Sequence, residues 1–264
     1  MTRSRPKKTL SHAPLALALA QVRFSPLMLM GDYIAKIQDR FRQSGYPING
    51  SMQVQEFLLG STLNKAVVRP HWEFLSKDRT TSVVVNEGFV VVQTTMYDDF
   101  EAFLKAVADA TEVVSSVVGA LLIQRIGLRY VDLIRPREGE SWEKYIQPGL
   151  CGFASNHFIA DTALRLHQTV TGTPQGTMFV RLLQNRERAI LPPDLASQSL
   201  LFPRVSPPAP DELLTVVDID HFHESEPDDF ERSRLERIAW ELKNTSYEVF
   251  TDSIVTDHAL EVWA

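Results

Sequence analysis

The tetrapeptide Asp-Asp-Phe-Glu occurs twice, at 98–101 and at 228–231. Each copy follows a run with strand-like alternation and precedes a long run with helical periodicity. The spacing predicts a helix over about 99–120, with Phe100, Phe103, Leu104, Val107, Val114, Val117, Val118 and Leu121 on one stripe. It predicts a second over 229–250, striped by Leu235, Ile238, Ala239, Leu242 and Val249. Two other local matches point the same way. Val22-Arg23-Phe24 answers Leu128-Arg129-Tyr130, and Tyr33-Ile34 answers Tyr145-Ile146. Convergence is the competing explanation, because an acidic residue three positions before Glu is a capping-box-like arrangement that many helices reach independently. The stripes also align only with one residue inserted after the repeated tetrapeptide. The agreement in element order favours duplication.

The rest of the pattern fills in that order. Residues 15–24 alternate as a strand. Gly31-Asp32 opens a helix with Asp32 as a plausible N-cap and Tyr33, Ile34, Ile37 and Phe41 as its stripe, and Gly45-Tyr46-Pro47 stops it. Strand-like runs follow near 53–60, 67–75, 81–86 and 88–95. Asn86-Glu87-Gly88 reads as a hairpin turn, since Gly can supply a positive φ. The second half offers a strand at 123–134, a short helix near 141–147 and strands at 162–170, 177–184 and 213–222. Residues 191–210 hold six of the chain's fifteen prolines and read as an irregular surface excursion. The expected fold class is therefore α+β: a loose tail at 1–12, a β-α-β4-α half at 13–121, and a β-α-β3-α half at 122–264 carrying the 191–210 insertion. Antiparallel sheets would be backed by helices on one face.

The chain has 264 residues and a net charge of −6. That balance argues against a broad nucleic-acid or anionic-membrane surface, which needs excess positive charge. Cys151 is the single cysteine, so neither a disulfide framework nor a Cys-type zinc site is expected. Arg3, Arg5, Lys7 and Lys8 before Pro14–Ala20 superficially resemble a secretory signal. The apolar stretch is short, starts at a proline, alternates large and small residues, and continues as strand, so a cytoplasmic location is expected.

Arg125-Ile126-Gly127-Leu128-Arg129-Tyr130-Val131-Asp132 is the most distinctive segment. Together with Ala13-Pro14-Leu15, Trp72-Glu73-Phe74 and Val217-Asp218-Ile219-Asp220, it resembles a sporadically distributed, functionally uncharacterised prokaryotic family of about this length. The resemblance implies a stand-alone prokaryotic protein of the kind found among defence or toxin–antitoxin genes, and it brings no catalytic residues. The twofold β-α-β4-α pattern is similar, at the level of fold alone, to the TATA-binding-protein-like architecture, whose concave sheet face is open to a partner.

Strand alternation sorts the polar side chains. Ile126, Leu128 and Tyr130 should face the helices, with Arg125, Gly127 and Arg129 opposite. Val22 and Phe24 should point inward, and Gln21 and Arg23 outward. Leu164 and Leu166 should point inward, which places Arg165 and His167 on the open face. Asp218 and Asp220 share a face with Phe222. The expected site is thus Arg23, Arg125, Gly127, Arg129, Arg165, His167, Asp218 and Asp220. An Arg fork suits carboxylate or phosphate. The bland alternative is an Arg–Asp lattice that covers the sheet or closes a homodimer.

Asp218, Asp220 and His221 also suggest a metal-dependent hydrolase or nuclease, although alternation puts His221 and His223 on the other face. Cys151 and His157 make no recognisable nucleophilic pair, and the glycines form no phosphate or dinucleotide loop. The sequence therefore points to a non-enzymatic binding or adaptor protein, without a cofactor, that recognises a protein partner or a small anionic ligand. The hydrolase and a nucleic-acid-binding saddle are the alternatives.

Overall fold

The computed structural model describes residues 10–58, 65–152, 164–195, 199–210 and 212–264. The sequence-predicted tail therefore lies largely outside the described residues, as do His157 and the start of the strand expected at 162. The fold is α+β: among the described residues there is one antiparallel sheet of nine strands, with four helices. The strands are β1 (Leu15–Phe24), β2 (Ile48–Leu58), β3 (Lys65–Leu75), β4 (Thr81–Val85), β5 (Phe89–Thr94), β6 (Leu122–Ile134), β7 (Leu164–Thr173), β8 (Gly176–Asn185) and β9 (Leu214–Asp229). The helices are α1 (Met30–Gln43), α2 (Phe100–Val118), α3 (Arg232–Val249) and α4 (Asp257–Trp263). The sheet order is β2-β3-β4-β5-β1-β6-β9-β8-β7, so β1 and β6 pair at its centre.

Alternation along the central strands decides what is buried where. Ala18, Ala20, Val22 and Phe24 from β1 and Ile126 and Leu128 from β6 join Phe100, Phe103, Leu104, Val107, Leu235, Ile238 and Leu242 in the main core under the helices. A second cluster lies under the C-terminal end. There α4 and a π-turn at Phe250–Ile254 bury Tyr145, Ile146, Val217, Ile219 and Trp263. Leu10 packs against this cluster and the His12 amide donates to the Trp263 carbonyl at 3.0 Å, so residues 10–12 are fastened rather than loose.

Several local expectations are corrected. A 3-10 turn at Trp142–Lys144 replaces the helix expected near 141–147. Helix α1 begins at Met30 with Leu29 as N-cap, and Asp32 lies in the first turn, where its charge meets the positive end of the helix dipole. Gly88 does not take a positive φ; instead the Asn86 side chain accepts from the Gly88 and Phe89 amides at 2.8 and 2.9 Å, closing the β4–β5 turn as an Asx turn. The two Asp-Asp-Phe-Glu copies are not placed alike. Asp99 caps α2 by accepting from the Ala102 amide at 2.7 Å, whereas Asp228 and Asp229 end β9 and α3 starts only at Arg232.

The largest correction concerns the proline-rich insertion. It is a strap across the face of the sheet opposite the helices. Leu191 and Leu200 are buried there against Leu17, Leu75, Val131, Leu133 and Val216, with Leu195, Phe202 and Val205 packed beside them. Thr95 donates to the Leu201 carbonyl at 2.6 Å and the Leu201 amide to the Arg79 carbonyl at 2.8 Å, which ties the strap to the β3–β5 region. The strap buries one end of that face and leaves the other open. No helix among the described residues is long and apolar enough to cross a membrane.

Leu104 sits in the main core at 5% exposure. Leu104→Ala should cost about 2–5 kcal/mol through lost transfer energy and the cavity left behind. Chemical denaturation of the two proteins checks this; an unchanged midpoint would contradict the packing.

Candidate functional site

The open end of the sheet holds a cleft of about 280 Å³. Its floor is made by residues of six adjacent strands, β3, β4, β5, β1, β6 and β9. Leu19, Val84, Phe89 and Val91 form an apolar side, and Leu195 of the strap closes one edge. Gln21, His71, Arg125, Arg129, Asp194 and Asp220 supply the polar groups, with Gly127 between the two arginines. The β1–β6 register sets Gln21 opposite Gly127, Leu19 opposite Arg129 and Arg23 opposite Arg125.

Arg129 is 7% exposed, and Asp218 only 1%. Arg129 Nε and Nη2 donate to the two Asp218 oxygens at 2.7 and 2.8 Å, a fork-to-fork pair. Arg181 Nη1 donates to the same Asp218 at 2.8 Å, so β6, β9 and β8 are joined through one carboxylate. The opposite edge of Arg129 meets Asp194, on a short turn of the strap, at 2.6 Å from Nη1 and 3.1 Å from Nη2. Burial opposes the charge on Arg129, yet the hydrogen bonds from Asp218 and Asp194 outweigh it and hold the guanidinium above its ordinary value. Burial would likewise raise Asp194, but Arg129 pulls its carboxyl below the usual range.

Arg125 is held more loosely. Nη1 donates to Gln21 Oε1 at 2.5 Å, the guanidinium lies 3.9 Å from the Phe222 ring centroid, and Asp220 stands 3.6 Å away. Burial lowers its pKa, countered by Asp220, while Arg23 adds a like charge. Asp220 is shifted the other way: burial raises it and Arg125 only partly offsets that. Gly127 has a specific consequence. A Cβ there would stand 3.2 Å from Phe222 Cβ and 3.4 Å from Arg125 Nη1, so the missing side chain lets Arg125 fold over the strand. The space between the arginines is therefore occupied by the Arg125 head rather than open as a notch.

Arg23, Arg125, Gly127, Arg129, Asp218 and Asp220 lie on the face that alternation assigns them, although Arg23 is exposed at the rim. Arg165 and His167 do not join them. Register through Gln184 and Thr215 puts Arg165 on the helix side, where it donates to Gln184 Oε1 at 2.7 Å and lies near the Trp142 ring. Leu164 and Leu166 accordingly face the open side at 62% and 59% exposure. The cause is position: β7 is an edge strand, so its alternating pattern has two faces but little core to choose between them. His221 is also on the helix side, fully buried between Thr173, Ser246 and the Leu242 carbonyl, away from Asp218 and Asp220. Among the described residues no group of three His, Cys, Asp or Glu side chains is placed to hold a metal ion. Cys151 is half-buried against backbone carbonyls, and burial pushes its thiol up.

Two residues of the network escape sequence reasoning. Arg181 shares a face with Phe179 on β8, which alternation could have shown. Asp194 sits between Pro193 and Leu195, and nothing local indicates that it reaches Arg129.

No protein-family model matches the chain, and a search of curated proteins finds no relative.

Beneath this network, on the helix side, Asp132 is 6% exposed, and burial followed by the charge of Asp218 raises its pKa from 3.8 to about 7. The folded protein thus keeps a proton that the unfolded chain gives up. The associated stability is fully present below pH 3.8 and is lost as pH rises through about 7. Asp132→Asn should remove that loss and raise stability at pH 8 by on the order of 2–4 kcal/mol, with little change at pH 4. Urea titrations at the two pH values check this; equal effects at both would contradict the shift.

Proposed function

We propose that this chain is a non-enzymatic binding or adaptor protein whose cleft on the open sheet face recognises an anionic, hydrogen-bonding partner. The observation that carries the reading is the pair Arg125 and Arg129 at one cleft beside an apolar wall, Arg129 fixed by Asp218 and Asp194 and Arg125 by Gln21 and the Phe222 ring with Asp220 close by. Holding a buried and a partly buried cation in defined poses costs desolvation, and residues arranged only for stability could fill the same space with apolar side chains. Fixed forks beside an apolar wall suit recognition instead, because a few placed polar groups orient a ligand while apolar contact supplies affinity.

An internal duplication fits the same picture. Outward from the central β1–β6 pair, one flank reads β5, β4, β3, β2 and the other β9, β8, β7; β5 is followed by the long helix α2 and β9 by the long helix α3, with the short α4 after it. If Arg23 and Arg129 are equivalent, the Gln21–Gly127 pair lies on the local twofold and the cleft sits over the junction of the halves. The open face between two such halves is the feature shared with TATA-binding-protein-like sheets. The strap over one end narrows that face from a saddle to a pocket, and the negative net charge disfavours nucleic acid as its occupant.

A thermal-shift panel of small carboxylates, phosphates and acidic peptides tests the reading. At least one class should raise the midpoint of the wild-type protein. The shift should vanish in Arg129→Lys, since an ammonium cannot reproduce two-pronged contact. Circular dichroism controls for folding. A shift that survives in folded Arg129→Lys would place recognition elsewhere.

A further inference from the structure

Arg129 has two carboxylate partners of opposite character. Asp218 is 1% exposed, lies on the neighbouring central strand, and is held at the same time by Arg181. Asp194 is 60% exposed, belongs to the strap, and meets only the cleft-facing edge of the guanidinium. One partner belongs to the sheet. The other is a surface carboxylate turned inward at the lip of a cavity.

Resting on the reading above, we infer that Asp194 is an internal stand-in for the ligand, and that the cleft takes a small molecule with one carboxylate and an apolar body. Four arguments lead there. The two Asp194 oxygens already show what the outer edge of Arg129 accepts: a planar two-oxygen anion at 2.6 and 3.1 Å. Exchanging one carboxylate for another keeps the local charge balance, whereas a phosphate dianion would add negative charge beside Asp218 and Asp220. The released Asp194 side chain is already mostly hydrated, so returning it to water costs little. Beyond the arginine edge, the cavity of about 280 Å³ offers Leu19, Val84, Phe89 and Val91 to an apolar group. That volume suits a metabolite-sized acid rather than a folded segment of another protein.

Asp194 then competes with the ligand. A site whose binding-competent state is only fractionally populated has its apparent affinity reduced by that fraction. Asp194→Asn keeps the shape but removes the charge, which frees the edge of Arg129.

Calorimetry with 3-phenylpropanoate as probe separates the outcomes, with its neutral amide and inorganic phosphate as comparison ligands. Asp194→Asn should bind 3-phenylpropanoate at least about tenfold more tightly than the wild-type protein. It should bind the amide and phosphate far more weakly. Adding Arg129→Lys to Asp194→Asn should abolish the binding. Equal affinity in wild type and Asp194→Asn, with loss in Arg129→Lys, would overturn the stand-in role while leaving the cleft as the recognition site. Binding unaffected by Arg129→Lys would overturn both. Tighter binding of phosphate than of the carboxylate, or no saturable binding of 3-phenylpropanoate by folded Asp194→Asn, would overturn the assigned ligand class.

Discussion

The buried pair of Arg129 and Asp218 is the interaction on which the open face depends. Neither group can sit in a largely dry environment alone, because an uncompensated buried charge is strongly unfavourable. Each therefore dictates its surroundings. Asp218 takes two hydrogen bonds from Arg129 and one from Arg181, which fixes the side chains of β6, β8 and β9 relative to one another. Arg129 has donors left over, and these reach across to the strap. The central strands, the second flank of the sheet and the insertion thus meet at one guanidinium.

That arrangement also explains the shape of the cleft. The apolar residues of the strap cover Leu17, Val131, Leu133 and Val216, which would otherwise be an exposed hydrophobic patch on the sheet. The cover ends where the floor turns polar, at Gln21, Gly127 and Arg125. On the opposite face, the helices bury the alternate residues of the same strands. The central strands therefore carry two unrelated chemistries: an apolar core below, and a fixed set of charges above. Asp132 is a carboxyl on the helix side held near the Asp218 charge, and burial raises its pKa to about 7.

Much of this is visible in the sequence, for a physical reason. On central strands one face must be buried, so period-two alternation identifies both faces, and Arg125, Arg129, Asp218 and Asp220 fall together. The same logic failed on β7, where an edge strand of alternating Leu164, Arg165, Leu166 and His167 has no core to fix its phase. It failed again for the strap, because prolines mark irregular backbone without saying what it covers. Leu191 just before those prolines, and Leu195, Leu200 and Phe202 between them, are the sign of packing. Tertiary partners such as Asp194, separated from Arg129 by 65 positions, have no local signature at all. The short helix expected at 141–147 reflects a similar limit: Tyr145 and Ile146 are buried as a stripe would require, but against α4 rather than by a helix of their own.

The central claim is that Arg129 and Asp218 are kept as a charged pair for recognition rather than for stability. The most direct measurement replaces both at once with apolar residues of similar size, Arg129→Met with Asp218→Leu, and records unfolding free energy and binding of 3-phenylpropanoate in an Asp194→Asn background. Breaking a buried pair by removing one partner typically costs about 3–5 kcal/mol, while replacing both can be nearly neutral. The account predicts that the doubly substituted protein stays within about 1–2 kcal/mol of its parent in stability and no longer binds the carboxylate. A protein that unfolds readily would contradict it, and so would one that still binds.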